Sequence, residues 1–140
     1  MPASRIYLLI IGLALCLVAE VAHADSVAVV SARSPIASLS RDQVTDIFLG
    51  KLSHYPDGIL AVPIDQEEGS PTRDDFYRRL ADKTPAQLKA YWSKIIFTGR
   101  GRPPDTVANG IEVKRRLAAN PAAIGYIDST LVDASVRVLF

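Results

Sequence analysis

Short β-branched runs alternate with capped amphipathic segments along this chain, and that alternation most constrains its fold. Residues 27–30 and 60–64 are apolar runs of strand length, and a helix start follows each of them. Two further runs, residues 124–127 and 136–140, close the sequence. Strands interleaved with helices predict a small mixed sheet covered by helices, in an α/β or α+β arrangement. Pro63 places the second run at a sheet edge or at a strand end.

Three helix starts carry capping residues. Ser40 and Gln43 have the spacing of a capping box, in which each side chain bonds to the other's backbone. Ser70-Pro71 and Thr84-Pro85 pair a good N-cap with proline at the first helical position. A fourth helix is predicted over Gly110–Ala119. The apolar positions expected to be buried on the first three helices are Val44, Ile47 and Phe48, then Phe76, Tyr77 and Leu80, then Leu88, Tyr91, Trp92, Ile95 and Ile96.

Residues 1–24 have the pattern of a secretory signal peptide. Arg5 supplies the positive start, an apolar stretch follows, and Ala22-His23-Ala24 offers the small residues of a cleavage site. We therefore expect cleavage after Ala24, export to the periplasm, and a single mature domain over residues 25–140. An uncleaved anchor helix is the alternative. The apolar stretch is short for a membrane span of about 20 residues.

Composition excludes several classes of function. The chain has 140 residues, and its sixteen Lys and Arg nearly balance fifteen Asp and Glu. A net charge of +1 removes the bulk basic excess on which generic binding to nucleic acid or to anionic membranes depends. One Cys excludes an internal disulfide framework and a Cys-based zinc site, and two His leave little material for a multi-histidine metal centre. Cys16 is preceded by Leu15, which does not suit a lipoprotein signal. We predict no metal, no cofactor and no nucleic-acid partner.

The strand–loop–helix junction at residues 64–73 is the strongest candidate for a binding site. A helix N-terminus presents free N–H groups and the positive end of the helix dipole, and both favour anions. The hydroxyls of Ser70 and Thr72, with the amides of Thr72 and Arg73, could converge on an oxyanion. The alternative is a plain helix cap, since Ser-Pro begins many helices and Pro71 has no N–H to donate.

Other candidates are weaker. Gly99-Arg100-Gly101-Arg102 could clamp an anion or contact a partner, although a solvated connection has the same pattern. The basic run at residues 114–116 is typical of a solvated helix end. His54 has no nucleophile-elbow motif near it, and Asp65 with the two following glutamates lacks the spacing of a calcium loop. We therefore predict that the chain is not an enzyme.

Three segments carry a family resemblance. Residues 34–51 read SPIASLSRDQVTDIFLGK, residues 69–73 read GSPTR, and residues 119–126 read ANPAAIGY. In this order they resemble the helix motif, the anion loop and the closing strand of the periplasmic phosphate-binding proteins of ABC transporters and their small PBP-like relatives. The resemblance implies a type 2 periplasmic-binding-protein-like fold of the α/β class. Because the chain has length for only one of the two lobes, we expect one lobe of that fold and a short, single-lobe member.

The resemblance also implies a ligand and a set of residues. It implies phosphate or a similar small oxyanion, bound by Gly69, Ser70, Thr72 and Arg73, with Ser34 contributing from the first loop. Two positions depart from the family pattern. Gln66 stands where the anion loop has an arginine, and a proline replaces the loop's second glycine. Because complete members close two lobes around the ligand, a lone lobe should bind phosphate weakly.

Two functions therefore stay open. The first is an exported phosphate- or oxyanion-binding domain linked to phosphate ABC transport. The second is a single-lobe interaction or sensor module of the cell envelope in which ligand binding is vestigial. The partner would be an ABC transporter or another envelope protein, and a homodimer could rebuild a two-sided cleft.

Overall fold

The computed structural model describes residues 25–140, so the predicted signal peptide and its cleavage site before Asp25 lie outside the described residues. The described part is a mixed α/β arrangement of five strands and four α-helices. The strands are β1 (Ser26–Ser31), β2 (Val62–Gln66), β3 (Asp105–Val107), β4 (Ala123–Asp128) and β5 (Val136–Val138). The helices are α1 (Arg41–Phe48), α2 (Pro71–Ala81), α3 (Pro85–Phe97) and α4 (Gly110–Ala119). A short 3₁₀ turn, Ser129–Leu131, follows β4.

The five strands form one sheet in the order β3-β2-β4-β1-β5. Strand β2 runs parallel to β3 and β4, whereas β1 runs antiparallel to both β4 and β5. The carboxyl ends of the three parallel strands therefore meet at one edge of the sheet, beside the amino end of β1. We call this the carboxyl edge and the opposite one the amino edge. Chain segments that follow β1 leave the sheet at the amino edge.

Apolar side chains alternate between the two faces of the sheet because successive strand residues point to opposite sides. On one face Val30, Ile124 and Tyr126 pack against helices α1, α2 and α3. On the other face Val29 and Ile127 pack against α4. The molecule thus has three layers, with three helices covering one face of the sheet and one helix covering the other.

The predicted helix starts are confirmed. Ser40 accepts a hydrogen bond from the Gln43 N–H at 3.1 Å, and Gln43 Oε1 accepts one from the Ser40 N–H at 2.9 Å. Ser70 and Thr84 are the N-caps of α2 and α3, each followed by proline. Helix α4 has the predicted bounds. Each cap satisfies backbone donors within its own first turn, so these starts need no distant partner.

The strands agree less closely with the prediction. Strand β2 lies two residues further along than residues 60–64, because exposed Leu60 bridges His54 instead and the buried polar residues Asp65 and Gln66 extend the strand. The prediction that Pro63 belongs to an outer strand of the sheet is wrong, because β2 lies between β3 and β4. The alternative, that Pro63 lies near the end of a strand, is right, because it is the second residue of β2. Strand β3 was not predicted. The closing strands are β4 and the shorter β5.

Helix α3 differs from its predicted packing at one position. Leu88 and Trp92 are buried, but Ile96 is 56% exposed and does not belong to the buried stripe.

On α2, Asp75 and Arg79 form an ion pair at 3.4 Å. No helix in residues 25–140 is long and apolar enough to cross a membrane.

Candidate oxyanion-binding site

The turn between β2 and α2 lies at the carboxyl edge of the sheet. Gly69 has a φ of 93°, in the left-handed region that glycine adopts without strain. The Ser70 N–H donates to the Glu67 carbonyl at 3.1 Å, and Ser70 Oγ accepts from the Arg73 N–H at 3.2 Å. Four of the five candidate residues, Gly69, Ser70, Thr72 and Arg73, therefore lie together at one helix start.

The Ser70 hydroxyl both accepts and donates a hydrogen bond within the protein. Besides accepting from Arg73, it donates to Gln66 Oε1 at 2.9 Å. Gln66 is buried, and its Nε2 donates to the Tyr126 carbonyl at 3.0 Å. The residue that stands in place of the family's arginine thus supports the helix cap from beneath. It brings no charge to the turn.

A buried carboxylate lies below this cap. Asp65 is 1% exposed, and it accepts hydrogen bonds from the Tyr77 hydroxyl at 2.7 Å and from the Tyr126 hydroxyl. The Gln66 N–H donates to the same carboxylate at 2.8 Å. Burial, and after it the negative charge of Asp65, raises the pKa of Tyr77 and of Tyr126 well above the usual value of a phenol. Both hydroxyls therefore remain donors at neutral pH.

Arg73 joins this network to the turn. Its Nε lies 3.5 Å from Asp65 Oδ1, and its guanidinium carbon lies 5.5 Å from the centre of the Tyr77 ring. The side chain is 13% exposed, and its Nε makes no hydrogen bond within residues 25–140. Asp65 and Tyr77 thus hold a positive charge at the N-terminus of α2, where the helix dipole also favours an anion.

A second helix starts beside the same turn. The Glu67 N–H donates to the carbonyl of Val107, the last residue of β3, at 3.1 Å. Helix α4 begins three residues later, with Asn109 as its N-cap accepting from the Glu112 N–H at 3.0 Å. The sequence does not reveal this juxtaposition, because the three residues of β3 have little strand pattern of their own. The signal available in the sequence was Asn109, a good N-cap residue directly before the predicted start of the fourth helix at Gly110.

Ser34 does not join the candidate site. It follows β1, which runs antiparallel to β4, so it leaves the sheet at the amino edge, whereas Ser70 lies at the carboxyl edge. Its hydroxyl accepts from the Ile36 N–H at 3.2 Å and completes a local turn. The expectation that Ser34 contributes from the first loop is corrected by the direction of the strand before it.

Acidic side chains limit the affinity of the turn for anions. Glu67 and Glu68 are exposed, and Glu68 Oε1 approaches Lys89 Nζ only to 3.9 Å. Asp74 and Glu112 lie in the first turns of the two helices. The positive charge of Arg73 and the two helix starts therefore act against several carboxylates. Within the described residues, no cluster of three or more His, Cys, Asp or Glu could hold a metal ion.

Searches of family models and of curated sequences gave no match. Solved structures are similar. One is described as a phosphate ABC transporter substrate-binding protein from Clostridium perfringens with bound phosphate, with a TM-score of 0.66 and 22% identity over 83% of this chain and 44% of that chain. Another is an ABC-type phosphate transport receptor from Vibrio cholerae, with a TM-score of 0.63 and 21% identity over 83% and 45%. PstS from Borrelia burgdorferi has a TM-score of 0.60 and 14% identity over 83% and 46%.

These similarities define the fold. The chain has the fold of one lobe of PstS-like periplasmic binding proteins, as the resemblance implied. It spans less than half the length of the chains it matches. The first two similar structures are described as a substrate-binding protein and a receptor of phosphate transport.

Proposed function

We propose that this chain is an exported, single-domain periplasmic module, residues 25–140, that binds phosphate or a similar small oxyanion at the turn of residues 69–73. The observation that carries the proposal is the position of Arg73, which buried Asp65 holds at the start of α2 beside Thr72. An unpaired first-turn N–H, a hydroxyl and a guanidinium are the donors that oxyanions take. The fold shared with phosphate ABC transporter proteins supports the same ligand class and a link to an ABC transporter.

The proposed binding is weak, for two physical reasons. The Ser70 hydroxyl already donates its proton to Gln66, so it is not free to donate to a ligand. One lobe also leaves the ligand open to water, where each hydrogen bond adds little free energy. We therefore expect dissociation constants near the millimolar range, about 4 kcal/mol of binding free energy.

Titration calorimetry of residues 25–140 with inorganic phosphate and with sulfate tests the proposal. Thr72→Val keeps the shape of the side chain and removes its hydroxyl, and we expect it to weaken phosphate binding several-fold. Thr45→Val is the matched control, because Thr45 is also half-buried on a helix but lies on α1. The proposal would be contradicted if neither phosphate nor sulfate gives binding heat up to 10 mM, or if Thr72→Val and Thr45→Val weaken phosphate binding equally.

The second candidate is an interaction or sensor module in which ligand binding is vestigial. It is favoured by the internal satisfaction of Ser70 and Gln66, which bond to each other and to the backbone around them. It predicts no calorimetric signal with phosphate and a stable envelope partner whose binding does not depend on phosphate. Sedimentation velocity with and without phosphate separates this case from a homodimer that rebuilds a two-sided cleft.

A further inference from the structure

Residues 83–104 carry charge of one sign only. This stretch contains Lys83, Lys89, Lys94, Arg100 and Arg102 and has no Asp or Glu. The remainder of the chain then has eleven basic residues against fifteen acidic ones, so it is net negative. The overall charge of +1 conceals this separation. The stretch comprises helix α3 and the loop that leads to β3.

Two large apolar side chains stand unburied at the end of that helix. Phe97 is 92% exposed and Ile96 is 56% exposed, whereas Leu88 and Trp92 hold the other side of α3 against the core. Full exposure of a phenylalanine leaves its whole apolar area in water, which costs about 1.5–3 kcal/mol relative to burial. Nothing within residues 25–140 covers Phe97.

Basic side chains surround this apolar pair in the sequence. Lys94 lies in the last turn of α3, and Arg100 and Arg102 lie in the loop that follows; all three are exposed. None of the three has an ion-pair partner within the described residues. We call Lys94, Ile96, Phe97, Arg100 and Arg102 the basic tip.

A groove extends from the basic tip toward the amino edge of the sheet. Its volume is about 460 Å³, and Arg100 and Arg102 line it together with Leu60, Trp92 and one acidic residue, Asp105. The candidate oxyanion turn follows β2, whereas the groove is lined by the residues at the start of β2. The basic tip and the oxyanion turn are therefore separate surfaces.

We propose that the basic tip binds peripherally to an anionic lipid surface. Phe97 and Ile96 enter the interfacial layer, and the charges of Lys94, Arg100 and Arg102 contact lipid phosphates. A lipid leaflet presents an anionic layer directly above an apolar one, which matches an exposed apolar pair flanked along the chain by Lys94, Arg100 and Arg102. The net-negative remainder of the chain is repelled by the same surface, so the tip is the part that faces it.

Co-sedimentation of residues 25–140 with lipid vesicles tests the proposal, because these residues contain every described strand and helix and both apolar clusters. We expect binding to vesicles of phosphatidylglycerol and phosphatidylcholine, little binding to phosphatidylcholine alone, and release in 0.5 M NaCl. Phe97→Ser should weaken binding at least about tenfold. Arg100→Gln with Arg102→Gln should weaken it by a further factor, about fivefold for each charge.

Ile111→Ser is the control, because Ile111 lies on α4 outside the basic tip and is exposed to the same degree as Ile96. Circular dichroism establishes that each variant is folded. The proposal is overturned if the unaltered protein does not bind the anionic vesicles, if it binds only an acidic protein, or if Ile111→Ser loses as much binding as Phe97→Ser. Displacement by 10 mM inorganic phosphate in a buffer of constant ionic strength also overturns it, since the tip would then be a site for a free anion. Thr72→Val should leave vesicle binding unchanged, which separates this proposal from the proposed function.

Discussion

The two ends of the sheet use polar side chains in opposite ways. At the carboxyl edge Asp65, Gln66, Tyr77 and Tyr126 are buried and bond to one another, so their hydrogen-bonding capacity is consumed inside the protein. Beyond the amino edge Lys94, Arg100 and Arg102 of the basic tip are exposed and form no ion pair within residues 25–140. The polar groups at the carboxyl edge are thus paired within the protein, whereas the charged groups of the basic tip are open to solvent.

This difference separates stability from binding. When one partner of a buried hydrogen bond is removed, the other partner is left with neither a protein partner nor water. This destabilises the folded state, whether the carboxylate or its donors are lost. Exposed arginines remain hydrated whether or not they are altered, so their replacement changes what the surface binds and leaves the fold intact. We therefore expect substitutions at the carboxyl edge to change the free energy of unfolding, and substitutions at the basic tip to change what the protein binds.

The largest expected effect is at Asp65. Asp65→Ala removes the acceptor of Tyr77 and Tyr126 and the ion-pair partner of Arg73, and we expect it to lower the free energy of unfolding by about 3–5 kcal/mol. Urea denaturation followed by circular dichroism measures the change. Asp42→Ala, an exposed acidic residue in the first turn of α1, is the control and should cost less than about 1 kcal/mol. Equal losses in the two variants would show that the buried network does not stabilise the carboxyl edge.

A smaller effect at the same edge depends on pH. Partial burial alone would raise the pKa of Asp75, but hydrogen bonds from Ser26 and from Arg79 outweigh it and lower the pKa below the usual value of a carboxyl. A carboxyl with a depressed pKa stabilises the folded state above its unfolded pKa and loses that contribution as the pH falls through the folded one. Asp75→Asn should therefore flatten the decline in unfolding free energy below about pH 4.

That decline is measured by urea denaturation at several pH values from 6 down to 2. The Asp42→Asn variant, whose side chain is exposed, serves as the comparison. If both variants follow the unaltered protein in parallel, the contacts of Asp75 with Ser26 and Arg79 do not contribute to acid sensitivity.

The smallest effect on stability is expected at the basic tip. Arg100→Gln with Arg102→Gln should change the free energy of unfolding by no more than about 0.5 kcal/mol, because both side chains are exposed. Thermal unfolding of this double variant beside Asp65→Ala would make the contrast between the two ends quantitative. A loss above about 1 kcal/mol would mean that the loop after α3 supports the core, and the contrast between the ends would fail.

The helices could be predicted because their signals are local. Ser40 with Gln43, and Thr84 with Gln87, satisfy backbone donors within three residues of each other. Ser70 could be predicted as a cap in the same way. The hydrogen bond from the Ser70 hydroxyl to Gln66 could not be predicted, because the burial of Gln66 depends on Tyr126 from a strand about sixty residues away.

The strands and the buried network could not be predicted as well. Strand β3 has three residues with little apolar pattern, and it exists because Ile64 and Gln66 of β2 offer pairing positions. In the sequence Asp65 is one of three acidic residues within four positions, and a lone sequence does not reveal that two tyrosines converge on it. Ile96 fits a helical stripe by spacing, but at this end of α3 it is Ile95 that packs against the core.

By itself the sequence determined where helices begin, that strands alternate with them, and that residues 83–104 carry a single sign of charge. These features follow from neighbours a few residues apart or from composition, so they can be read without knowing which distant segments pair. Only the tertiary structure decided which edge each loop occupies. It placed Ser34 at the amino edge and Ser70 at the carboxyl edge, because the direction of a strand in the sheet is fixed by pairing between distant segments.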